Sequence, residues 1–237
     1  MTVYVYAITG AGHPCRLDGL SGVGADPSGV RTVTADALRA VVSDVREEPR
    51  PKRRDLTAHQ EVQDRLMADG TALPLRFGYT APDDDAVRAV LEDRGQEYLA
   101  ILERLDGSAE FHLRVAQAEE SLLREILEES REARELNDAI IHGDPDPRAK
   151  LALGEFVAQE VASRRTARAE AVVNALAPSA REHEVLTPSG DDLLSVSFLV
   201  AEAEREAFLA KEAELAAAAD DGVEFRLTGP LPPYSFV

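Results

Sequence analysis

Leu194-Ser195-Val196-Ser197-Phe198-Leu199-Val200, then Glu202 to Ala219, then Val223-Glu224-Phe225-Arg226-Leu227 is the stretch whose pattern decides the fold. Leu194, Val196, Phe198 and Val200 alternate with Ser195, Ser197 and Leu199, the two-residue period of a strand with a buried face. Glu202 to Ala219 keeps Leu209, Ala213 and Ala216 on one line and stops at Asp220-Asp221-Gly222, as a helix does. Val223, Phe225 and Leu227 then alternate with Glu224 and Arg226. Such a strand–helix–strand unit is long enough for a right-handed parallel crossover. Upstream, Phe111, Leu113 and Val115 alternate with Glu110, His112 and Arg114, which adds another strand.

Two helical stretches separate that strand from the crossover. Glu119 to Ile141 carries Leu122, Leu123, Ile126 and Leu127 at helical spacing and reads as one long helix. His142-Gly143-Asp144-Pro145-Asp146-Pro147 breaks it, with Asp146 as an N-cap and Pro147 as the first residue of a second helix. That helix keeps Leu153, Phe156, Val157 and Val161 together until Pro178 stops it. The acid concentrated in Glu119 to Glu135 and Glu202 to Glu214 reads as solvated helix faces.

The first half of the chain has its own pattern. Val3 to Ile8 is apolar on both faces, a strand covered on both sides. Gly10 to Gly29 is loop, and a short strand at Arg31 to Thr34 precedes the segment from Leu38 to Ser43. Ala35 to Val45 lacks Gly and Pro and so allows helix, but the β-branched Val41-Val42 favours strand. Asp55 or Thr57 caps the next helix, which presents Leu56, Val62, Leu66 and Met67 on one side and ends at Gly70. Leu73 to Phe77 is a short extended segment that Pro74 confines to an edge or a strand start. Asp83-Asp84 opens a further helix, and Gly95 breaks it before Tyr98, Leu99, Leu102 and Leu105. The expected fold class is therefore α+β in two domains. Residues 1–106 form an N-terminal mixed α+β domain, and 107–228 a C-terminal ferredoxin-like domain with a long helical hairpin. Residues 229–237 form an extended tail, because Pro230, Pro232 and Pro233 remove backbone donors while Leu231, Tyr234, Phe236 and Val237 supply apolar anchors.

Charge narrows the partners. A net charge of −18 argues against nucleic acid and against anionic membrane surfaces. No run approaches the ~20 apolar residues that cross a bilayer. The N-terminus reads as a strand, not a signal peptide, and Cys15 as the single cysteine fits a reducing cytoplasm. Chemistry is sparse. His13, His59, His112, His142 and His183 form no close ligand pair with one another or with Cys15, so a zinc site lacks support, and His112 reads as a surface residue. Gly19-Leu20-Ser21-Gly22-Val23-Gly24 lacks the Gly-Lys-Ser/Thr of a phosphate loop. Arg164, Arg165 and Arg168 read as a basic helix face, and Arg50, Lys52, Arg53 and Arg54 as a solvated loop or, alternatively, a docking site for an acidic partner. His59 reads as a structural hydrogen-bonding residue or, alternatively, a general base. No catalytic constellation, cofactor site or metal site emerges.

Four segments together resemble the gas vesicle GvpL/GvpF family. Tyr4-Val5-Tyr6-Ala7-Ile8 is similar to its aromatic first strand, and His59 falls where the family has a helical histidine. Leu73-Pro74-Leu75-Arg76-Phe77-Gly78 resembles its internal motif. Gly229-Pro230-Leu231-Pro232-Pro233-Tyr234-Ser235-Phe236 resembles its Gly-Pro-Trp-Pro-Pro-Tyr-(Asn/Ser)-Phe ending, with Leu231 in place of the tryptophan. Glu110 opening a strand after Gly107 is also family-like.

The resemblance implies a non-enzymatic accessory protein of the gas vesicle. It would assist shell assembly in the cytoplasm by binding the apolar shell protein and other vesicle accessory proteins, with no cofactor. The motif residues His59, Leu73, Pro74, Arg76, Phe77, Gly78, Gly229, Pro230, Pro232, Pro233, Tyr234 and Phe236 would then be structural or partner-binding. Tyr234 and Phe236 are expected to pack on the N-terminal domain, with Leu73 to Gly78 as their receptor. Two rivals are a small-molecule-binding regulatory module on a ferredoxin-like fold, and a hydrolase or transferase using His59 with Arg76.

Overall fold

A computed structural model describes residues 2–142 and 147–237. The expected cap at Asp146 lies outside the described residues. The chain divides into two compact units, residues 1–110 with 229–237, and residues 111–228.

The first unit starts with β1 (Thr2–Gly10), β2 (Arg31–Ala35) and β3 (Leu38–Val45). Helix α1 (Arg53–Asp69), β4 (Ala72–Pro74), β5 (Thr80–Ala81), α2 (Asp84–Asp93) and α3 (Gly95–Leu105) follow. The sheet order is β2-β3-β1-β4, with β5 also on β1, and β1 runs antiparallel to β3, β4 and β5. Strand, not helix, therefore forms at Leu38–Val45, where Val41 and Val42 are fully buried. A register shift between Val5 and Ala7 inserts Tyr6 as a bulge. Tyr4, Tyr6, Val41, Val62 and Leu66 are at the centre of the core cluster.

Helix caps differ from expectation. Lys52 stands at the N-cap of α1 without a side-chain bond. Asp55 instead turns to the glycine loop, where Oδ1 accepts from Gly24 N at 2.9 Å and from Arg54. That loop is packed tightly: a Cβ on Gly22 would stand 2.6 Å from Ser43 Oγ and 2.9 Å from the Ser28 carbonyl oxygen. Asp83 does cap α2, accepting from Ala86 N at 2.8 Å.

The second unit holds most of β6 (Ser108–Gln117), then α4 (Glu119–Glu129), α5 (Arg131–His142), α6 (Pro147–Leu176), β7 (Glu182–Leu186), β8 (Asp192–Ala201), α7 (Arg205–Ala217) and most of β9 (Val223–Leu231). Its strand order is β7-β8-β6-β9, the ferredoxin-like arrangement. In the β8–α7–β9 crossover, β6 therefore lies between the two strands. Phe208 of α7 packs on Phe111 and Phe198 with ring centroids 5.5 and 5.3 Å away.

The stretch expected as one acidic helix is two. Ser130 is extended (φ −85°, ψ 119°), and its Oγ accepts from Ala133 N at 3.2 Å, so it ends α4 and caps α5. The acidic face is also not simply solvated. Arg164 of α6 reaches Glu125 at 2.6 Å and Glu129 at 2.7 Å, and Arg168 reaches Glu125 at 2.7 Å. Arg164 and Arg168 of α6 thus pair with two acidic residues of α4, Glu125 and Glu129. Strand β7 went unread because Glu182, His183 and Glu184 give it little apolar signal; it pairs antiparallel with β8 at the sheet edge.

Candidate functional site

The family-like residues of the first unit converge on His59. Position 59 faces inward on α1 with Val62, Gln63 and Leu66, and the imidazole is only 4% exposed. Tyr4 arrives from β1, Phe77 from the loop after β4, and Tyr234 from a 3-10 turn at Tyr234–Phe236. The tail is thus not extended throughout. It continues β9 as far as Leu231 and then tightens into that turn.

The hydrogens of Tyr4, Tyr6 and His59 have assignable partners. Gly78 N donates to the Tyr4 hydroxyl at 3.1 Å, so the Tyr4 O–H donates onward to His59 Nδ1 at 2.9 Å. His59 then carries its proton on Nε2 and donates to the Tyr234 hydroxyl at 3.2 Å. Gln63 Nε2 donates to the Tyr6 carbonyl at 2.7 Å. Tyr6 OH accepts from Val23 N at 2.9 Å and donates to Ser43 Oγ at 2.8 Å. Three rings enclose the imidazole: Tyr6 stacks at 5.6 Å, while Tyr4 and Phe77 meet it edge-on at 5.8 Å each. Gly78 has φ +102°, which only glycine adopts without strain, and that turn aims both its N–H and the Phe77 ring inward.

Burial controls the charge states. It holds His59 down to about 4, so the imidazole is neutral near pH 7, and it pushes Tyr234 up to about 12. Tyr4 and Tyr6 are raised by the same cause. The result is a neutral hydrogen-bond chain running Gly78–Tyr4–His59–Tyr234.

The rest of the tail is held by charged groups. Glu110 accepts from Ser235 N at 2.9 Å and Ser235 Oγ at 2.8 Å, and Arg104 Nη2 donates to the Phe236 carbonyl at 2.6 Å. Pro232, Pro233 and Phe236 are buried, whereas Gly229 and Pro230 are exposed. Leu73 and Pro74 are buried; Arg76 and Gly78 are exposed. Arg76 and His59 share no hydrogen bond: Arg76 lines a groove of about 610 Å³ together with Leu73, Pro74, Tyr79, Val90 and Val237.

Two histidines depart from expectation. His13 and Cys15 do meet, with Nδ1 3.3 Å from Sγ, because the positive φ of Cys15 (+46°) folds the loop back. His13 Nε2 donates to the Leu66 carbonyl at 3.1 Å. Burial raises the Cys15 thiol, but the bonds to His13 and Thr9 outweigh it and leave the pKa lowered. No group of three or more His, Cys, Asp or Glu able to hold a metal occurs among the described residues. His112 is not simply a surface residue: it is half-buried, with Nδ1 3.1 Å from Ser197 Oγ.

The family model for gas vesicle synthesis protein GvpL/GvpF matches residues 2–237. The chain belongs to the GvpL/GvpF family. Gas vesicle protein F of a Streptomyces species is 40% identical over 238 residues, covering 100% of both chains. Gas vesicle protein L1 of Halobacterium salinarum is 29% identical over 245 residues, with 92% of this chain and 84% of that protein covered. Crystal structures of GvpF from Anabaena and from Microcystis aeruginosa share the fold. Their TM-scores are 0.85 and 0.80 at 20% and 21% identity; 99% of this chain is covered in each case, against 97% and 98% of theirs. The GvpL/GvpF match thus takes in both sheets and the tail. No helix among the described residues is long and apolar enough to cross a membrane.

Proposed function

We propose that this GvpL/GvpF protein is a gas vesicle accessory protein that assists shell assembly in the cytoplasm. It binds the apolar shell subunit and other vesicle proteins, and it performs no catalysis. The observation that carries this reading is the closure of the His59 centre. A general base needs a free lone pair within reach of substrate. His59 Nδ1 instead accepts from Tyr4, Nε2 donates to Tyr234, and the ring is 4% exposed. Its chemistry is spent on holding the tail. The motif residues Leu73, Pro74, Arg76, Phe77 and Gly78 are then structural or partner-binding, as are Gly229, Pro230, Pro232, Pro233, Tyr234 and Phe236. The −18 charge keeps a protein that handles apolar partners from co-aggregating with them.

Complementation tests the reading. In vesicle-forming cells lacking the gene, the wild-type chain restores vesicles, and His59→Gln restores them at comparable yield once its lower stability is offset by reduced temperature. Vesicles forming normally without any copy of the gene refute an assembly role. A folded His59→Gln chain that restores none refutes the purely structural role of His59.

A further inference from the structure

Of the five large apolar side chains left exposed among the described residues of the first unit, Leu56 and Leu99 stand apart and the other three converge. Tyr79 at 60%, Val90 at 48% and Val237 at 51% exposure all line the groove that Arg76 borders. Its floor is Val5, Ile8 and Leu73 of the sheet, and its wall is Val87, Leu91 and Ile101 of α2 and α3. An apolar concentration of this kind on an otherwise highly charged chain marks a contact surface.

Charge and backbone define the occupant. Arg94 is compensated, with Nη2 on Glu97 Oε1 at 2.6 Å, Nε on Oε2 at 2.9 Å, and its guanidinium 5.0 Å over the Tyr98 ring. Arg76 makes no hydrogen bond or ion pair among the described residues. Arg76 is thus a lining guanidinium with no side-chain carboxylate paired to it among the described residues. That uncompensated guanidinium calls for a carboxylate on the occupant.

Strand addition to the free edge of β4 is disfavoured. Leu75 N donates to the Tyr6 carbonyl at 2.8 Å, so the preceding residue's donor position faces away from β1, and that residue is Pro74, which has no N–H. The groove accepts side chains, not a backbone ladder. A helix supplies such a stripe at i, i+3, i+4 and i+7 spacing.

We propose that this groove docks an amphipathic helix of another vesicle protein, apolar along one stripe and carrying a carboxylate that pairs with Arg76. The inference rests on the shell-assembly reading and gives it a site. A second copy of this chain is a poorer occupant, because two molecules of charge −18 repel each other.

Site-specific photo-crosslinking in vesicle-forming cells tests it. Tyr79→benzoylphenylalanine is placed in the full-length chain, and a control carries the same photoprobe at Val185, an exposed position of β7 in the other unit. The expected result is a crosslink from position 79 to a helical segment of a vesicle protein. Arg76→Glu should reduce its yield about tenfold, and changing the paired carboxylate of the partner to lysine should restore it. Capture of a second copy, of a strand, or of no vesicle protein at position 79, while position 185 captures vesicle proteins, overturns the groove and leaves the assembly role standing. A vesicle-protein crosslink at position 79 whose yield ignores Arg76→Glu also overturns the proposal. Failure of both positions to capture any vesicle protein overturns the groove and the assembly role together.

Discussion

His59 Nε2 lies 3.2 Å from the Tyr234 hydroxyl, although 175 residues of chain separate them. The contact joins α1 to the 3-10 turn of the tail, and the same imidazole reaches Tyr4 of β1 through its other nitrogen. One neutral ring therefore ties the beginning, the middle and the end of the sequence.

Loss of the tail's buried aromatic anchor should be costly. Phe236 is 7% exposed. Phe236→Ala removes a buried ring and leaves a cavity, with an expected loss of about 3–4 kcal/mol. Thermal unfolding followed by circular dichroism should show a clearly lower midpoint, and removal of residues 229–237 a lower one still. An unchanged midpoint in both would mean that the tail contributes nothing to the folded state.

Acid should weaken the His59 centre. The folded value of about 4 is below the unfolded value near 6.5, so the unfolded chain binds the proton first as pH falls. The neutral ring's contribution is complete above about pH 6.5 and is lost progressively toward about pH 4. The full shift corresponds to about 3 kcal/mol. Denaturant unfolding of wild type and His59→Gln at pH 7.5 and pH 5 should show wild type losing more stability than the variant between the two. Equal losses would show that His59 does not titrate in this window.

Glu110 is expected to matter through its charge. Glu110→Gln keeps the shape but weakens the pair of bonds to Ser235, at an expected cost of about 1–2 kcal/mol. Limited proteolysis should cut the variant's tail faster. An identical cleavage rate would mean that Glu110 does not restrain it.

Gly78→Ala should act through the backbone. At φ +102° a side chain is strained, and the Gly78 N–H to Tyr4 is displaced as well. About 1–2 kcal/mol of destabilisation is expected in chemical denaturation, whereas Gly10→Ala, where a Cβ meets nothing within 4 Å, should change far less.

Much of this architecture was legible because it rests on local period. β8, α7 and β9 announce themselves through alternation at Leu194–Val200, a helical line at Leu209–Ala216 and alternation again at Val223–Leu227. Features set by single side chains were not. Ser130 divides the acidic helix through one hydroxyl, a signal visible only as a possible N-cap inside an unbroken helical pattern. Asp55 looked like a cap because capping is its commonest use, but Gly24 claims it across the fold. His13 and Cys15 are two residues apart, a spacing that brings them together only because Cys15 adopts a left-handed backbone. The residues around His59 carried a family likeness, while the order of donors and acceptors that neutralises it required the third dimension.

The most direct measurement is the capture of purified shell subunit by the purified full-length chain, followed by light scattering of the shell subunit with and without it. Stoichiometric capture and suppressed scattering are expected. No capture, with scattering unchanged by a folded wild-type chain, would contradict a role in handling apolar shell protein.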